Sequence, residues 1–293
     1  MANVNYAAEY SRALAQAYPY LSYFPEIWAA NNSNLYKPGI GKTMYIPTLT
    51  TTGAHAVNRD QITGTFNRNW DNALQSVTLE MDREWDTLVD PMDVEETNQV
   101  ASIANITKAF NEQQKVPEMD AYLASKLYSM VTPITTNLTQ SSMLGAWDNW
   151  MKQMAEDRCN MSRVVCYMNN ELYYTIFKGW SGVQRNVDIN GSAGIDLNRN
   201  ILTMDGIPIH PVPSTIMKSS FNFTTGWVAN SGAKKINAIM VCLDSIAAPV
   251  KYETAMISAP NAQSKGKYLY YERYYYGAFK LNARGGIVVS AEA

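Results

Sequence analysis

The chain has 293 residues, 46% hydrophobic and only 17% charged, with a formal net charge of −2. That length bounds one large or two ordinary domains, and the near-neutral balance excludes long-range attraction to nucleic acid as the organising feature. No apolar run approaches the roughly 20 residues of a membrane-spanning helix, and so low a charge fraction suits a protein much of whose surface is covered by partners.

Residues 1–38 read as an arm. Tyr6 to Ala17 is a short helix candidate, and its Glu9 and Arg12 without an apolar core do not make a secretion signal. Tyr18-Pro19-Tyr20, Phe24-Pro25 and Lys37-Pro38-Gly39 then punctuate an irregular stretch rich in large aromatics, including Trp28. Such an arm packs either on its own domain or on a neighbouring subunit. Gly39-Ile40-Gly41-Lys42-Thr43 looks like the end of a phosphate-binding loop, but Tyr36 stands where that loop needs its first glycine, so a turn feeding a strand is expected.

Residues 43–50 and 75–85 alternate and are rich in β-formers, which predicts strands. The polar stretch between them, Thr51 to Asn72, is too long for a hairpin turn and has no core pattern. A long two-stranded excursion with a polar tip fits, ordered by something other than itself.

Asp90-Pro91 marks a turn, and a long helix is expected from Met92. Val100, Ile103, Ile106 and Phe110 share one face, while Asp93, Glu95 and Glu96 sit in the first turn, where carboxylates favour the positive end of the helix dipole. Pro117 should stop or bend this helix at Val116. A second amphipathic stretch follows, with Met119, Tyr122, Leu123, Leu127 and Met130. The one apolar face must be buried against a sheet, expected from Val77 to Trp85 and from Tyr268 to Val289, with Phe110 buried beneath it.

Thr139 to Arg158 makes another amphipathic helix, with Met143, Leu144, Trp147, Trp150, Met151 and Met154 as a core stripe. Arg163 to Met168 and Ile236 to Leu243 read as buried strands, Glu171 to Phe177 as a short helix, and Ile201 to Val212 as strand, Asp-Gly turn and strand. Strands at Tyr252 to Ser258 and Tyr268 to Ser290 close the chain. The tyrosines at 268, 270, 271, 274, 275 and 276, interrupted by Glu272, read as a broad sheet bridging core and interface rather than a stacking platform for single-stranded nucleic acid.

Nothing in this inventory points to catalysis. Only two histidines occur, His55 and His210, in unrelated segments, and there is no nucleophile-elbow motif. Cys159, Cys166 and Cys242 are an odd number at no metal-ligand spacing and read as reduced, partly buried thiols. Asp82, Glu84, Asp86, Asp90 and Asp93 lack the glycine and spacing of a calcium loop, and strand-end and helix-start electrostatics account for them. The four Asn-x-Ser/Thr patterns, at Asn31, Asn105, Asn137 and Asn222, carry little weight without a secretion signal. No catalytic, cofactor-binding or metal residue is assigned, and no cofactor is expected.

The order of parts resembles the major capsid proteins of tailed bacteriophages, the Hong Kong 97 type. The residues that carry the resemblance are Asp82-Arg83, Val89-Asp90, Met92-Asp93 and Glu95-Glu96-Thr97 before the long helix, and Val116-Pro117-Glu118-Met119-Asp120-Ala121-Tyr122 after it. Arg163 to Tyr173, Met204-Asp205-Gly206-Ile207-Pro208-Ile209 and Val212-Pro213-Ser214 add to them. The resemblance implies an α+β capsid fold in five parts: an N-terminal arm (1–38), an extended two-stranded loop (39–80), a peripheral domain with a long spine helix (81–135), an axial domain (136–250), and returning strands completing the peripheral domain (251–293). It implies a non-enzymatic shell subunit of the virion, assembled in the host cytoplasm. Its partners would be copies of itself in pentamers and hexamers, a separate scaffolding protein, a portal at one vertex and packaged double-stranded DNA contacted non-specifically, with no membrane. An encapsulin-like nanocompartment shell shares the fold, and a tyrosine-rich adhesive or carbohydrate-binding β module is the alternative of another class.

Overall fold

The computed structural model describes residues 22–29, 37–39, 41–54, 70–96, 103–177, 186–190, 194–198, 203–281 and 285–293. The expected helix over Tyr6 to Ala17, the polar hairpin tip from 55 to 69 and His55 lie outside them.

Two sheets and one long helix organise the chain. The larger sheet is six-stranded, in the order β5 (Ile134–Thr135), β18 (Ile287–Ala291), β13 (Ile236–Cys242), β6 (Val164–Asn169), β10 (Ile207–Val212), β9 (Thr203–Met204). It is mixed, since β10 runs parallel to β6 and β18 parallel to β5 while β13 is antiparallel to both its neighbours. The apolar runs in β6 and β13 have their reason here, because both faces of this sheet are covered. Val165, Tyr167, Ile239, Val241, Ile287 and Val289 pack on one side with Met119, Tyr122, Leu123 and Leu127. Val164, Cys166, Met168, Ala238, Met240 and Val288 pack on the other with Met143, Trp147, Trp150 and Met154 of a helix at Met143–Glu156. Between β9 and β10, Asp205 and Gly206 take φ values of 52° and 79°, the left-handed pair that a tight two-residue hairpin turn requires.

The second sheet is three-stranded and antiparallel, in the order β15 (Val250–Ser258), β16 (Tyr268–Tyr276), β4 (Met81–Val89). β4 leads through Asp90 into a helical turn at Pro91–Glu96. The long helix then runs from Ile103–Phe110 through a π-helical turn, Asn111–Lys115, into Val116–Met130. The expected stop at Val116 does not occur. Pro117 falls in the first turn of the segment after the wider π turn, where a missing N–H is tolerated, and the helix continues. Its first part lies on β4, with Phe110 stacked on Trp85 at 4.1 Å between ring centroids. Phe110 is half-buried rather than enclosed. The later part lies on the six-stranded sheet.

The C-terminal strands part company. β16 pairs with β4 under the helix, whereas β18 sits inside the six-stranded sheet between β5 and β13. The expectation of one sheet from Tyr268 to Val289 therefore fails for β18. Ile287, Val288 and Val289 are apolar on both sides, and the three-stranded sheet leaves Glu84, Asp86 and Leu88 of β4 exposed on one face. A strand that must bury both faces goes to the sheet covered on both.

A two-stranded hairpin leaves this body: β2 (Thr43–Thr51) pairs over its full length with β3 (Trp70–Thr78), and a short β1 (Lys37–Pro38) adds at the edge of β2. The expected strand over 75–85 is broken at Leu79-Glu80. Leu79 is buried with Met44 and Tyr275, and its N–H donates to the Lys42 carbonyl at 2.8 Å, so the chain turns there and β4 starts anew. Gly277 makes room: a Cβ there would come within 3.1 Å of the Leu79 side chain.

Candidate functional site

Two features set this molecule apart from an ordinary globular core: an apolar face on the hairpin, and a set of ion pairs and hydrogen bonds, one ion pair fully buried, that fix hairpin, helix and N-terminal segment to the body.

Register places Tyr45 opposite Ser76, Pro47 opposite Leu74, Leu49 opposite Asn72 and Thr51 opposite Trp70, so Tyr45, Pro47, Leu49, Leu74 and Trp70 share one face. Leu49 is 68% exposed, Leu74 65% and Trp70 51%. At the root the opposite face is buried, where Ile46 packs with Val77, Ala247, Phe279 and Leu281. The alternation thus anchors one side of the hairpin to its own chain and turns an apolar side to solvent.

The acidic residues of β4 have distinct fates. Asp82 accepts from Arg273 Nη2 at 2.8 Å and meets Lys42 Nζ at 2.6 Å, which holds its carboxyl at about 2. Lys42, the lysine of the loop-like Gly-Ile-Gly-Lys-Thr stretch, is thereby committed to tying the hairpin root to β4. Glu84 accepts from Tyr271 Oη, and Asp90 caps the Met92 N–H at 3.0 Å. Across the sheet, Arg83 reaches inward to Glu118 at 2.7 Å, and Glu118 also accepts from Tyr276 Oη at 3.0 Å. Lys115 and Glu272 form a 2.7 Å pair with side chains 0% and 2% exposed. Tyr270 Oη donates to the same carboxylate at 2.6 Å, and the Lys115 ammonium lies 4.0 Å from the centre of the Tyr274 ring. Burial pushes the Lys115 pKa down, with Glu272 opposing it.

A third cluster holds residues 22–28. Phe24 and Ile27 are fully buried. Asp120 accepts from Ser22 Oγ at 2.6 Å, from the Tyr23 N–H at 2.6 Å and from Trp28 Nε1 at 3.1 Å. Burial raises its pKa to about 6 against these three bonds. Glu26 accepts from Tyr167 Oη at 2.7 Å and lies 3.0 Å from His210 Nε2. Burial pushes the Glu26 carboxyl up, but the bonds from His210 and Tyr167 outweigh it and hold it at about 2. His210, one of the two histidines, is therefore a partner of the N-terminal segment. Among the described residues no group of His, Cys, Asp and Glu is placed to hold a metal ion.

Neither a protein-family model nor a curated protein matches this sequence. Solved structures do. The mature capsid of bacteriophage PhiM1 matches with a TM-score of 0.61 at 10% identity, covering 86% of this chain and 82% of that one. The capsid of Cyanophage P-SCSP1u matches at 0.57 and 11% identity, covering 86% and 84%. The capsid of an empty GTA particle matches at 0.55 and 11% identity, covering 90% of each chain. The chain has the phage capsid fold.

The hairpin strands, the helix and the sheet role of the tyrosine-rich strand follow from the sequence pattern, whereas the buried clusters do not. Their signal lies in Glu118 and Asp120, carboxylates inside an otherwise apolar stretch, and in Glu272 among tyrosines.

Proposed function

We propose that this chain is the major capsid protein of a tailed bacteriophage, self-assembling as hexamers and pentamers into the icosahedral shell that encloses the genome. The observation that carries the proposal is the exposed apolar face of the hairpin, projecting from a chain that carries a capsid fold. An isolated two-stranded ribbon is marginal in water, and one that exposes Leu49 and Leu74 along a single face calls for a surface to lie on. A neighbouring copy of the same chain supplies one in a closed shell.

The five-part division from the sequence, in which 251–293 completes the peripheral domain, is here revised to four parts because β18 pairs in the six-stranded sheet. Residues 1–38 are an arm rooted at Asp120 and Glu26, and 39–80 are the extended loop. Residues 81–135 with 251–276 form the peripheral part around the helix. Residues 136–250, joined by the last strand, form the axial part. A separate scaffolding protein directs closure, a portal occupies one vertex, and double-stranded DNA is contacted non-specifically. Assembly takes place in the host cytoplasm and the product is the virion. The role is structural: Lys115, Arg83, Asp120 and Glu26 are each engaged by partners inside the fold rather than presented to a substrate.

Expression with and without the scaffolding protein, followed by negative-stain electron microscopy, tests this reading. Closed icosahedral particles are expected. Particles that package protein instead of DNA indicate a nanocompartment, and a chain that stays monomeric under all conditions overturns the proposal.

A further inference from the structure

Cys159 and Cys242 meet where three segments converge: the turn after the Met143–Glu156 helix, the end of β13, and the Gly285-Gly286 link into β18. Both cysteine side chains face the same glycine, Gly286. A Cβ on Gly286, whose φ is +101°, would fall 2.7 Å from Cys159 Sγ, 2.7 Å from Ser245 Oγ and 3.0 Å from Cys242 Cβ, so the two cysteine side chains crowd over a backbone that only glycine leaves open. The link is pinned on both sides. The Gly286 N–H donates to Asp157 Oδ2 at 2.8 Å, and the Cys242 N–H donates to the Gly286 carbonyl at 2.8 Å. Access differs between the two thiols: Cys159 is half-buried, while Cys242 is 2% exposed. The third cysteine, Cys166, is fully buried in the apolar layer of β6, opposite Met240.

We propose that Cys159 and Cys242 are a dithiol that closes to an intrachain disulfide when the folded protein meets a small disulfide oxidant such as oxidised glutathione. Cys159, the accessible thiol, acts first. Its thiolate attacks one sulfur of the oxidant, forming a mixed disulfide and releasing one glutathione thiolate. Cys242 then gives its proton to solvent and attacks Cys159 Sγ, expelling the second glutathione. Two protein thiols are oxidised and one external disulfide is reduced to two thiols. Burial pushes the Cys159 thiol up to about 11, so the step is slow near neutrality and quickens as pH rises. The bridge closes a loop of roughly 80 residues and ties the helix end to the six-stranded sheet.

The experiment incubates the purified full-length chain with oxidised glutathione at mildly alkaline pH, blocks residual thiols with a maleimide and measures intact mass under non-reducing conditions. The expected product has lost two hydrogen atoms, retains one of its three thiols, yields a Cys159–Cys242 peptide pair on digestion and melts several degrees higher. Cys166→Ser gives the same product. Cys159→Ser stops the reaction, and Cys242→Ser halts it at the glutathione adduct. A wild-type chain that stops at that adduct, keeps all three thiols or forms the bridge between two chains overturns the proposal, and the peptide map decides this even if a variant fails to fold.

Discussion

Lys115 and Glu272 join the long helix to the three-stranded sheet through an ion pair from which water is excluded, at 2.7 Å with side chains 0% and 2% exposed. Taking two charges out of water costs several kcal/mol per ion, and the pair stands only because each charge is met. Glu272→Ala is therefore expected to destabilise the fold by about 3–5 kcal/mol, since it leaves the ammonium buried without its carboxylate. The double variant Lys115→Met, Glu272→Leu should recover most of that loss. Urea unfolding of both variants measures it, and equal losses in the two would show that packing rather than charge is at stake.

The attachment of residues 22–28 should respond to pH in two windows of opposite sign. Asp120 has a folded pKa of about 6, above its usual value of 3.8, so its stabilising contribution is full below about pH 4 and lost as pH rises to 6. Glu26 is held at about 2 from 4.5, so its contribution is present above about pH 4.5 and lost on acidification toward 2. The attachment of residues 22–28 should thus be firmest near pH 4 to 5. Trp28 fluorescence followed against pH measures this, and Asp120→Asn should flatten the upper limb while leaving the lower one.

The apolar face of the hairpin separates folding from assembly. Leu49→Asp with Leu74→Asp changes two exposed positions, so the monomer should unfold within about 0.5 kcal/mol of wild type. Deleting residues 51–72 should likewise spare the monomer fold. Both changes should prevent shell formation, read by sedimentation and electron microscopy. Normal particles from either would remove the assembly role of the hairpin.

Phe110 stacks on Trp85 but is half-buried, so Phe110→Ala should cost about 2 kcal/mol rather than the 3–5 of an enclosed ring. Glu112→Ala and Gln113→Ala, on the exposed side of the π turn, should stay within about 0.5 kcal/mol. Thermal unfolding of the three variants makes the comparison.

What the sequence makes legible is periodicity. The stretches Val164 to Met168 and Ala238 to Cys242 announce strands buried on both faces, and the hairpin strands show because β2 and β3 alternate. The fate of Ile287 to Val289 is harder to read. An apolar strand at the C-terminus shows that it will be buried but not in which of two sheets, and that depends on partners over 40 residues away. The continuation of the helix past Pro117 is hidden for a different reason. A π turn is a local change of hydrogen-bond spacing with no residue signature of its own. The buried pairs are non-local too: Glu118 and Glu272 stand out among apolar and aromatic neighbours, but their partners Arg83 and Lys115 look like ordinary surface charges until the sheet and helix meet.

The π turn at Asn111–Lys115 has a mechanical consequence. The helix is a shaft keyed at both ends, by Phe110 against Trp85 and by Leu123 and Leu127 against the six-stranded sheet. Each residue of α-helix turns the shaft by about 100°. The wide turn takes up one residue more than α winding needs, so if the same residues were wound as regular α-helix one key would turn out of its slot by about that angle, carrying Phe110 off Trp85 or Lys115 off Glu272. Within these five residues the winding of the backbone sets the timing between two sheets.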